Sequence, residues 1–134
     1  MRFIVMAMAT KESEQGPPPK PEAFKAMQKY NEEAVKAGVV LAAEGLAPSS
    51  KGVRVKFSGD KRTVIDGPFT ETKELVAGFM IIQVKSLEEA IGWVNRAPNA
   101  SSSGEGVVEI RKLMDVEDFG EGFTPDAEIA KVKY

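Results

Sequence analysis

The sequence predicts a single-domain α+β protein with a ferredoxin-like, split βαβ arrangement that carries an inserted β-hairpin. Apolar runs typical of strands and two amphipathic helical segments follow one another as strand, helix, strand, hairpin, strand, helix, strand. A length of 134 residues suits one domain that buries its own core. We assign this domain to residues 1–113 and treat residues 114–134 as an extension that packs on the domain or on a partner.

The composition excludes several kinds of chemistry. The chain contains no cysteine and no histidine, so disulfides, thiolate nucleophiles, a Ser–His–Asp triad and the commonest metal ligands are absent. A net charge of −2 does not favour a nucleic-acid partner, because phosphate binding needs clustered Lys and Arg. Acid–base chemistry falls to Asp, Glu, Lys or Tyr. We expect no metal and no cofactor.

Hydropathy predicts no membrane association. No segment approaches the roughly 18 apolar residues that a membrane-spanning helix needs. The apolar start, Met1 to Ala9, is short, carries only Arg2 as a basic group, and leads directly into a domain pattern. We therefore expect a cytoplasmic protein.

The first half of the domain begins with a strand and a helix. Residues Phe3 to Ala9 are apolar at both alternating sets of positions, which is typical of a strand covered on both faces. The proline-rich residues 10–20 predict a loop. A helix then begins at Pro21 and ends at Gly38. Its buried stripe is predicted to consist of Phe24, Met27, Tyr30 and Ala34.

A hairpin follows the second strand, Val39 to Ala43. Residues Val53 to Phe57 alternate between apolar and polar, and Arg62 to Ile65 are predicted to form the strand that pairs with them. The intervening residues 58–61 predict a four-residue turn.

The second half repeats the strand–helix–strand order. Val76 to Val84 is an apolar strand, and the last strand covers Val107 to Leu113. Between them, Ser86 and Glu89 form a capping box for a helix that ends before Pro98. Trp93 lies off the apolar stripe of this helix, so we expect it to be half exposed. A weak helix is expected over Pro125–Lys131.

The strand pattern predicts a homodimer. Both helices would cover one face of a four-stranded antiparallel sheet, yet the first and third strands of that sheet are apolar on both faces. The other face would then be an exposed apolar patch, which usually marks an interface. A second copy that packs sheet to sheet across a two-fold axis would cover it. Alternatively, the hairpin and the C-terminal extension cover the sheet within one chain.

The segment Asp66-Gly67-Pro68-Phe69, followed by residues 70–74, resembles the signature of DGPF-type proteins of the YCII-related family. The resemblance continues in four further blocks in the same order. They are residues 38–46, 77–79, 86–90 and 107–111. The resemblance covers residues 2–113 and implies a ferredoxin-like fold that dimerises through its sheets into an α/β barrel.

The resemblance does not carry over an active site. In the wider family a His–Asp pair is proposed to be catalytic. The position where the histidine would fall lies near Gln28, and the aspartate expected before Pro98 is replaced by Ala97. The motif that matches is the Asp66–Phe69 segment itself.

Asp66 is the first candidate for a catalytic residue. As a base, it would point into a cleft between sheet and hairpin, where partial burial would raise its pKa. Alternatively, its carboxylate caps the turn formed by residues 68 and 69 by accepting the backbone N–H of Phe69, since Pro68 has none. Gly67 and Pro68 are expected to be structural.

Further candidate binding residues surround this motif. Phe69 is expected to form a pocket wall or part of the core, and Thr70 to Glu74 either line a pocket mouth or form a solvated loop. Glu44 closes an apolar strand and needs a cationic partner, which would anchor a substrate or form a structural salt bridge. The candidate cations are Arg54, Lys73 and Arg111, of which Lys73 or Arg54 would stabilise developing negative charge.

Three functions remain open at this point. The first is small-molecule binding or weak proton transfer of an isomerase or lyase type in a dimer cavity, with Asp66 as the base. The second is a non-catalytic regulatory or protein-interaction module. The third is a structural dimer without a ligand. The first predicts a cavity that reaches Asp66 and is larger than a few water molecules.

Overall fold

A computed structural model describes residues 1–16, 19–99, 101, 104–120 and 132. It confirms an α+β protein with antiparallel sheets. The strands are β1 (Arg2–Met8), β2 (Val40–Gly45), β3 (Val53–Ser58), β4 (Lys61–Asp66), β5 (Val76–Gln83) and β6 (Val108–Lys112). The helices are α1 (Lys11–Gln15), α2 (Pro21–Lys36) and α3 (Leu87–Asn95), with single 3₁₀ turns at Ser49–Lys51, Thr72–Glu74 and Val116–Phe119.

Four strands form one antiparallel sheet in the order β2-β5-β1-β6. The two central strands, β1 and β5, are separated in sequence by the first helical connection, by β2 and by the β3–β4 pair. This order is that of a split βαβ arrangement, in which α2 precedes β2 and α3 joins β5 to β6. Among the described residues, strands β3 and β4 pair with each other in a second, two-stranded sheet.

The main core lies between the helices and one face of the four-stranded sheet. On the two central strands, Phe3 pairs with Ile82, and these residues are 3% and 0% exposed. Ala34 of α2 and Ala90 of α3 are fully buried, and such small residues let helices approach a sheet closely. The other members of the buried cluster are Val5, Tyr30, Val39, Val84 and Trp93.

Trp93 belongs to this core, so the expectation that it is half exposed was wrong. Only 9% of the residue is exposed, and its ring meets the ring of Tyr30 edge to face at 6.5 Å. The Tyr30 hydroxyl donates to the Trp93 carbonyl at 2.7 Å, and the Arg96 guanidinium lies 3.8 Å from the Trp93 ring centre. These contacts bind α2 to the end of α3.

The apolar stripe of α2 is shorter than expected. Tyr30 and Ala34 are buried, and Met27 is half-buried. Phe24, however, is 59% exposed, so its predicted burial was wrong. It lies with Val35 along a groove on the outer side of the helix, at a position that periodicity alone assigned to the core.

The predicted loop over residues 10–20 contains the short helix α1. Thr10 begins it with a capping box: its hydroxyl accepts from the Ser13 amide at 3.1 Å, while the Ser13 hydroxyl accepts from the Thr10 amide at 2.8 Å. Gly16 ends it with φ at +78°. The prediction of a loop rested on the prolines, but these lie after the end of α1 and do not interrupt it.

The β3–β4 turn is tighter than predicted. Ser58 pairs with Lys61, which leaves a two-residue turn of Gly59 and Asp60 in place of four residues. Gly59 has a φ of +59°, a conformation that favours glycine at such a turn. Every residue of β3 and β4 is exposed, so this pair leaves both of its faces to solvent.

The start of the C-terminal extension is tied to the sheet by ion pairs. Lys112 lies 2.7 Å from Asp118 and 3.4 Å from Asp115, and Arg2 lies 3.7 Å from Asp115. All four side chains are partly exposed, so these pairs contribute little to stability. The helix expected over Pro125–Lys131 lies outside the described residues. Within the described part of the chain, no helix has the length and apolarity to cross a membrane.

Candidate functional site

A cavity of about 420 Å³ lies between the helices and one end of the sheet face that they cover. Val5, Ala7 and Met80 form part of its floor, Met27 and Asn31 of α2 form one wall, and Val94 with Ala97 forms the other. The remaining lining residues are Tyr30, Ala43, Glu44, Gly45, Gly78, Phe79 and Val108. The volume is several times that of one water molecule, as a ligand-binding protein requires.

The cavity exists because side chains become smaller along the sheet. Phe3 and Ile82 fill a row near one end of β1 and β5, whereas a row towards the other end has Ala7, Gly78 and Gly45 on three adjacent strands. A Cβ atom added to Gly78 would lie 3.2 Å from the backbone oxygen of Glu44, so the close approach of β2 disfavours a larger residue there. A Cβ atom added to Gly45 would meet nothing within 4 Å, because it would enter the cavity.

The polar groups of this cavity are few. The Tyr30 hydroxyl is engaged by the Trp93 carbonyl at 2.7 Å, and burial raises the pKa of this phenol, so it stays neutral at physiological pH. Asn31 supplies an amide. Glu44 pairs with Phe79, and this pair lies between two pairs that face the cavity, Ala43 with Met80 and Gly45 with Gly78. Because side chains alternate along a strand, those of Glu44 and Phe79 point to the opposite face of the sheet.

A second cavity of about 360 Å³ adjoins the first and shares its lining residues Ala7, Met27, Val94, Ala97 and Val108. Its polar lining consists of Thr10, Ser13, Asn99 and Ser101. The Asn99 amide donates to the Gly104 carbonyl at 2.8 Å, and its side-chain oxygen accepts from the Ser101 amide at 3.1 Å. The two cavities therefore form one cleft that is apolar at the sheet and lined by hydroxyl and amide groups at its outer end.

The Asp66–Phe69 motif lies elsewhere, at the base of the β3–β4 pair. A Cβ atom at Gly67 would lie 1.8 Å from the Ser49 carbonyl oxygen, so no other residue fits without moving the backbone. The Gly67 amide donates to the Gly52 carbonyl at 2.9 Å, and the Gly67–Pro68 peptide bond is cis. The glycine of the motif thus has a packing role, as expected from the sequence.

Sequence reasoning missed Glu14 and Ser49, which hold this motif in place. The Ser49 amide and hydroxyl both donate to the Glu14 carboxylate, the amide at 2.8 Å, and the Ser49 hydroxyl accepts from the Phe69 amide at 3.0 Å. These hydrogen bonds hold the pKa of Glu14 below its usual range. No sequence signal links residues 14, 49 and 69, because the contact depends on how α1, the 3₁₀ turn at Ser49–Lys51 and the loop after β4 meet.

Asp66 is exposed at the end of β4 and does not line either cavity. Its backbone pairs with Val53. In the described part of the chain, Asp66 is exposed and therefore lacks the partial burial expected of a base. The hydrogen bond expected of a turn cap is not formed either, because the Phe69 amide donates to the Ser49 hydroxyl rather than to the Asp66 carboxylate.

The other predicted residues lie either near the base of the β3–β4 pair or on the four-stranded sheet. The Arg54 guanidinium lies 3.7 Å from the ring centre of half-buried Phe69, and exposed Thr70 and Lys73 follow in the same loop region. Arg111 lies on β6, where it pairs with Ile4 on the uncovered face of the sheet. Of the predicted set, the cavity lining includes only Glu44, and the described ion pairs do not include the cationic partner expected for it.

Within the described residues, no group of three or more acidic side chains is placed to hold a metal ion. The arrangement therefore consists of an apolar cleft with neutral polar groups and a separate, tightly packed motif. The cleft can hold a small molecule, and the motif holds the base of the β3–β4 pair.

These features define a small α+β protein with a ligand-sized cleft between its helices and its sheet. The model of the YCII-related domain matches residues 1–117. The chain therefore belongs to the YCII-related family, in agreement with the resemblance carried by the Asp66–Phe69 motif.

Two similar proteins extend this comparison. An uncharacterized protein of Rhizobium meliloti (strain 1021) is 38% identical over 88 residues, which are 66% of this chain and 68% of that protein. A solved structure of 5-chloro-2-hydroxyhydroquinone dehydrochlorinase from Burkholderia phenoliruptrix, in complex with 2,5-dihydroxybenzoquinone, is 15% identical. The alignment covers 85% of this chain and 94% of that one with a TM-score of 0.49, a level of likeness that carries no argument about activity.

Proposed function

We propose that this protein binds a small molecule in the cleft between α2, α3 and the four-stranded sheet. The observation that carries the proposal is the 420 Å³ cavity, which is produced by the row Ala7, Gly78 and Gly45. An apolar concave site with a few polar groups is the usual form of a small-molecule site.

The catalytic form of this proposal is proton transfer of an isomerase or lyase type, with Asp66 as the base. It requires Asp66 to approach a ligand, whereas in the single chain its carboxylate lies outside the cavity lining. Lys73 or Arg54 would stabilise negative charge in the same reaction. Binding in the cleft is therefore the function that the geometry supports best, and proton transfer remains its extension.

Thermal-shift screening against a metabolite library tests the binding proposal. We expect at least one compound to raise the Tm of the parent protein and not that of Gly45→Val, because the valine side chain would occupy the cavity. Gly92→Ala is the matched control, since Gly92 also has no atom within 4 Å of an added Cβ but lies outside the cleft. The proposal fails if no compound stabilises the parent, or if Gly45→Val responds as the parent does.

Asp66→Asn separates binding from proton transfer in the same screen. Because Asp66 lies outside the cleft, we expect this variant to respond to the same compounds as the parent. Turnover of a compound that binds, measured by NMR of the ligand, should be lost in Asp66→Asn if this carboxylate is the base. Equal turnover by both proteins would remove Asp66 from the reaction.

We further propose that two copies form a homodimer through the uncovered face of the sheet. Ile4, Met6 and Phe79 are half-buried on this face beside buried Ile81, and the register places them on β1 and β5 at its centre. Charged residues of both signs lie at its edges, namely Glu44, Glu109 and Arg111. A two-fold axis would bring the apolar centre against itself and the mixed rim against its copy.

The alternative function is a regulatory or protein-interaction module in the cytoplasm, and the β3–β4 pair favours it. Val53, Phe57 and Val64 project from one face of this pair and are 58–67% exposed. An isolated pair of strands is marginally stable in water, so a partner would stabilise it. Hydrogen exchange should then show these amides protected when a partner is added and unprotected in the purified protein, while the metabolite screen finds no ligand.

A further inference from the structure

We infer that the ligand of the cleft is an electrically neutral, largely apolar molecule of about the size of two fused rings, with one hydrogen-bonding group that Asn31 contacts. This inference rests on the proposed binding function and adds the chemical class of the ligand. It follows from the charge, the volume and the polar groups of the lining.

The lining lacks the charges that an ionic ligand needs. Among the described residues, neither cavity has Lys or Arg in its lining, so an anion would lose its hydration without gaining a cationic partner. The carboxylate in the lining residues belongs to Glu44, whose side chain the strand register directs to the other face of the sheet. A cationic ligand would therefore also lack a counter-charge in the cleft.

The volume sets the size of the ligand. An apolar cavity of about 150 Å³ holds one benzene molecule. The first cavity, at about 420 Å³, is almost three times as large, and the adjoining 360 Å³ leaves room for a substituent that points outward. A bicyclic aromatic or alicyclic skeleton fits within the inner cavity and leaves space at its open side, where Ala7, Asn31 and Gly45 are exposed.

In the inner, apolar cavity, Asn31 is the group that can orient such a molecule. The hydroxyl of Tyr30 already donates to the Trp93 carbonyl at 2.7 Å, so it is engaged within the protein. Asn31 lies one residue further along α2, is exposed, and lines the cavity beside Met27. Its side-chain amide can both donate and accept, which suits a hydroxyl or carbonyl on the ligand.

Matched probes that share one skeleton test this class directly. Isothermal titration of the full-length protein would use 2-naphthol, 2-naphthoate and 2-naphthylmethylammonium at pH 7, with naphthalene as the unsubstituted reference. We expect 2-naphthol to bind at least about tenfold more tightly than either ion, because each ion loses hydration without a partner. Gly45→Val should abolish binding of 2-naphthol.

Asn31→Leu tests the orienting contact. We expect 2-naphthol to bind the parent roughly two- to tenfold more tightly than naphthalene, which is the gain from one net hydrogen bond. Asn31→Leu should remove this preference while naphthalene binds as before. Gln28→Leu is the control, because Gln28 and Asn31 both line the outer groove of the same helix, whereas Asn31 also lines the cleft and Gln28 does not.

The outcomes separate this inference from the proposed function. If 2-naphthoate or the ammonium probe binds as tightly as 2-naphthol and Gly45→Val abolishes that binding, the cleft binds ligands but the neutral class is wrong. If no probe binds while the metabolite screen finds a compound whose effect depends on Gly45, the size and polarity assigned here are wrong. If neither experiment finds a ligand, the proposed function itself fails.

Discussion

At the scale of single residues, two glycines have opposite surroundings. Gly67→Ala would place a Cβ atom 1.8 Å from the Ser49 carbonyl oxygen, so the backbone must move. We expect a loss of about 3 kcal/mol in the free energy of unfolding, measured by urea denaturation. Gly45→Ala, whose Cβ atom would enter open space, should change stability by less than about 0.5 kcal/mol. Equal losses in both variants would contradict the packing described for the motif.

Tyr30 has an effect on stability that depends on pH. Its hydroxyl donates to the Trp93 carbonyl, so Tyr30→Phe should cost about 1 kcal/mol at pH 7. Burial raises the pKa of this phenol above its ordinary value of 10.0. Its contribution is therefore complete below pH 10 and is lost as pH rises through the folded-state pKa, because the unfolded chain ionises first.

Thermal melts of the parent and of Tyr30→Phe between pH 7 and pH 11 check this effect. The parent should lose its advantage over the variant above pH 10. A difference between the two proteins that stays constant over the whole range would mean that the phenol is not buried as described.

The environment of the Asp66 carboxylate could not be predicted from the sequence. Its position in a Gly-Pro turn indicated either a base in a cleft or a turn cap, and the structure places its carboxylate in neither environment. The turn contact is made by Ser49, which is 17 residues earlier in the chain. A contact between distant loops leaves no local pattern, so the sequence could not assign it.

At the scale of elements, α1 is held to the base of the β3–β4 pair by Glu14. Two hydrogen bonds from Ser49 hold the pKa of this carboxyl below its usual value of 4.5. The stabilisation is therefore present above that value and is lost as pH falls through the lowered folded-state pKa. We expect Glu14→Gln to melt below the parent at pH 7 and to approach it at pH 3. Glu33→Gln, on the exposed face of α2, is the control and should melt as the parent does at both pH values.

The elements themselves were largely predictable. The start of α2 at Pro21, its end near Gly38, and the cap of α3 by Ser86 follow from backbone chemistry and appear as expected. In α3, however, the Glu89 carboxylate accepts from the Lys85 amide rather than from Ser86. The position of Trp93 was not predictable from periodicity, because its burial depends on Tyr30 in another helix.

At the scale of the whole molecule, the uncovered sheet face predicts association. Light scattering after size exclusion should give twice the 14.5 kDa of one chain. Met6→Lys places a charge at the centre of this face, and a buried unpaired charge is costly. We expect this variant to be a monomer by light scattering and to be folded by circular dichroism. Val64→Lys, on the exposed β3–β4 pair, should stay dimeric. A monomeric parent, or a dimeric Met6→Lys, would contradict the proposed interface.

The cavity belongs to the same scale, and the sequence did not predict its position. Ala7, Gly45 and Gly78 are ordinary strand residues in the sequence, and only the register places them in one row. The cavity between the helices and the sheet is larger than a few waters, but its lining does not include Asp66, so it is not the cavity that the sequence predicted. Strand register is a property of the assembled sheet, which is why the site could be expected but not located.

The measurement that tests the central claim most directly is chemical-shift mapping of the ¹⁵N-labelled protein with a compound from the thermal-shift screen. We predict that the perturbed amides cluster around the cleft, at Gly45, Gly78, Asn31 and Ala97. Perturbations confined to β3 and β4, or to the Asp66–Phe69 motif, would show that the ligand binds elsewhere and would contradict the account.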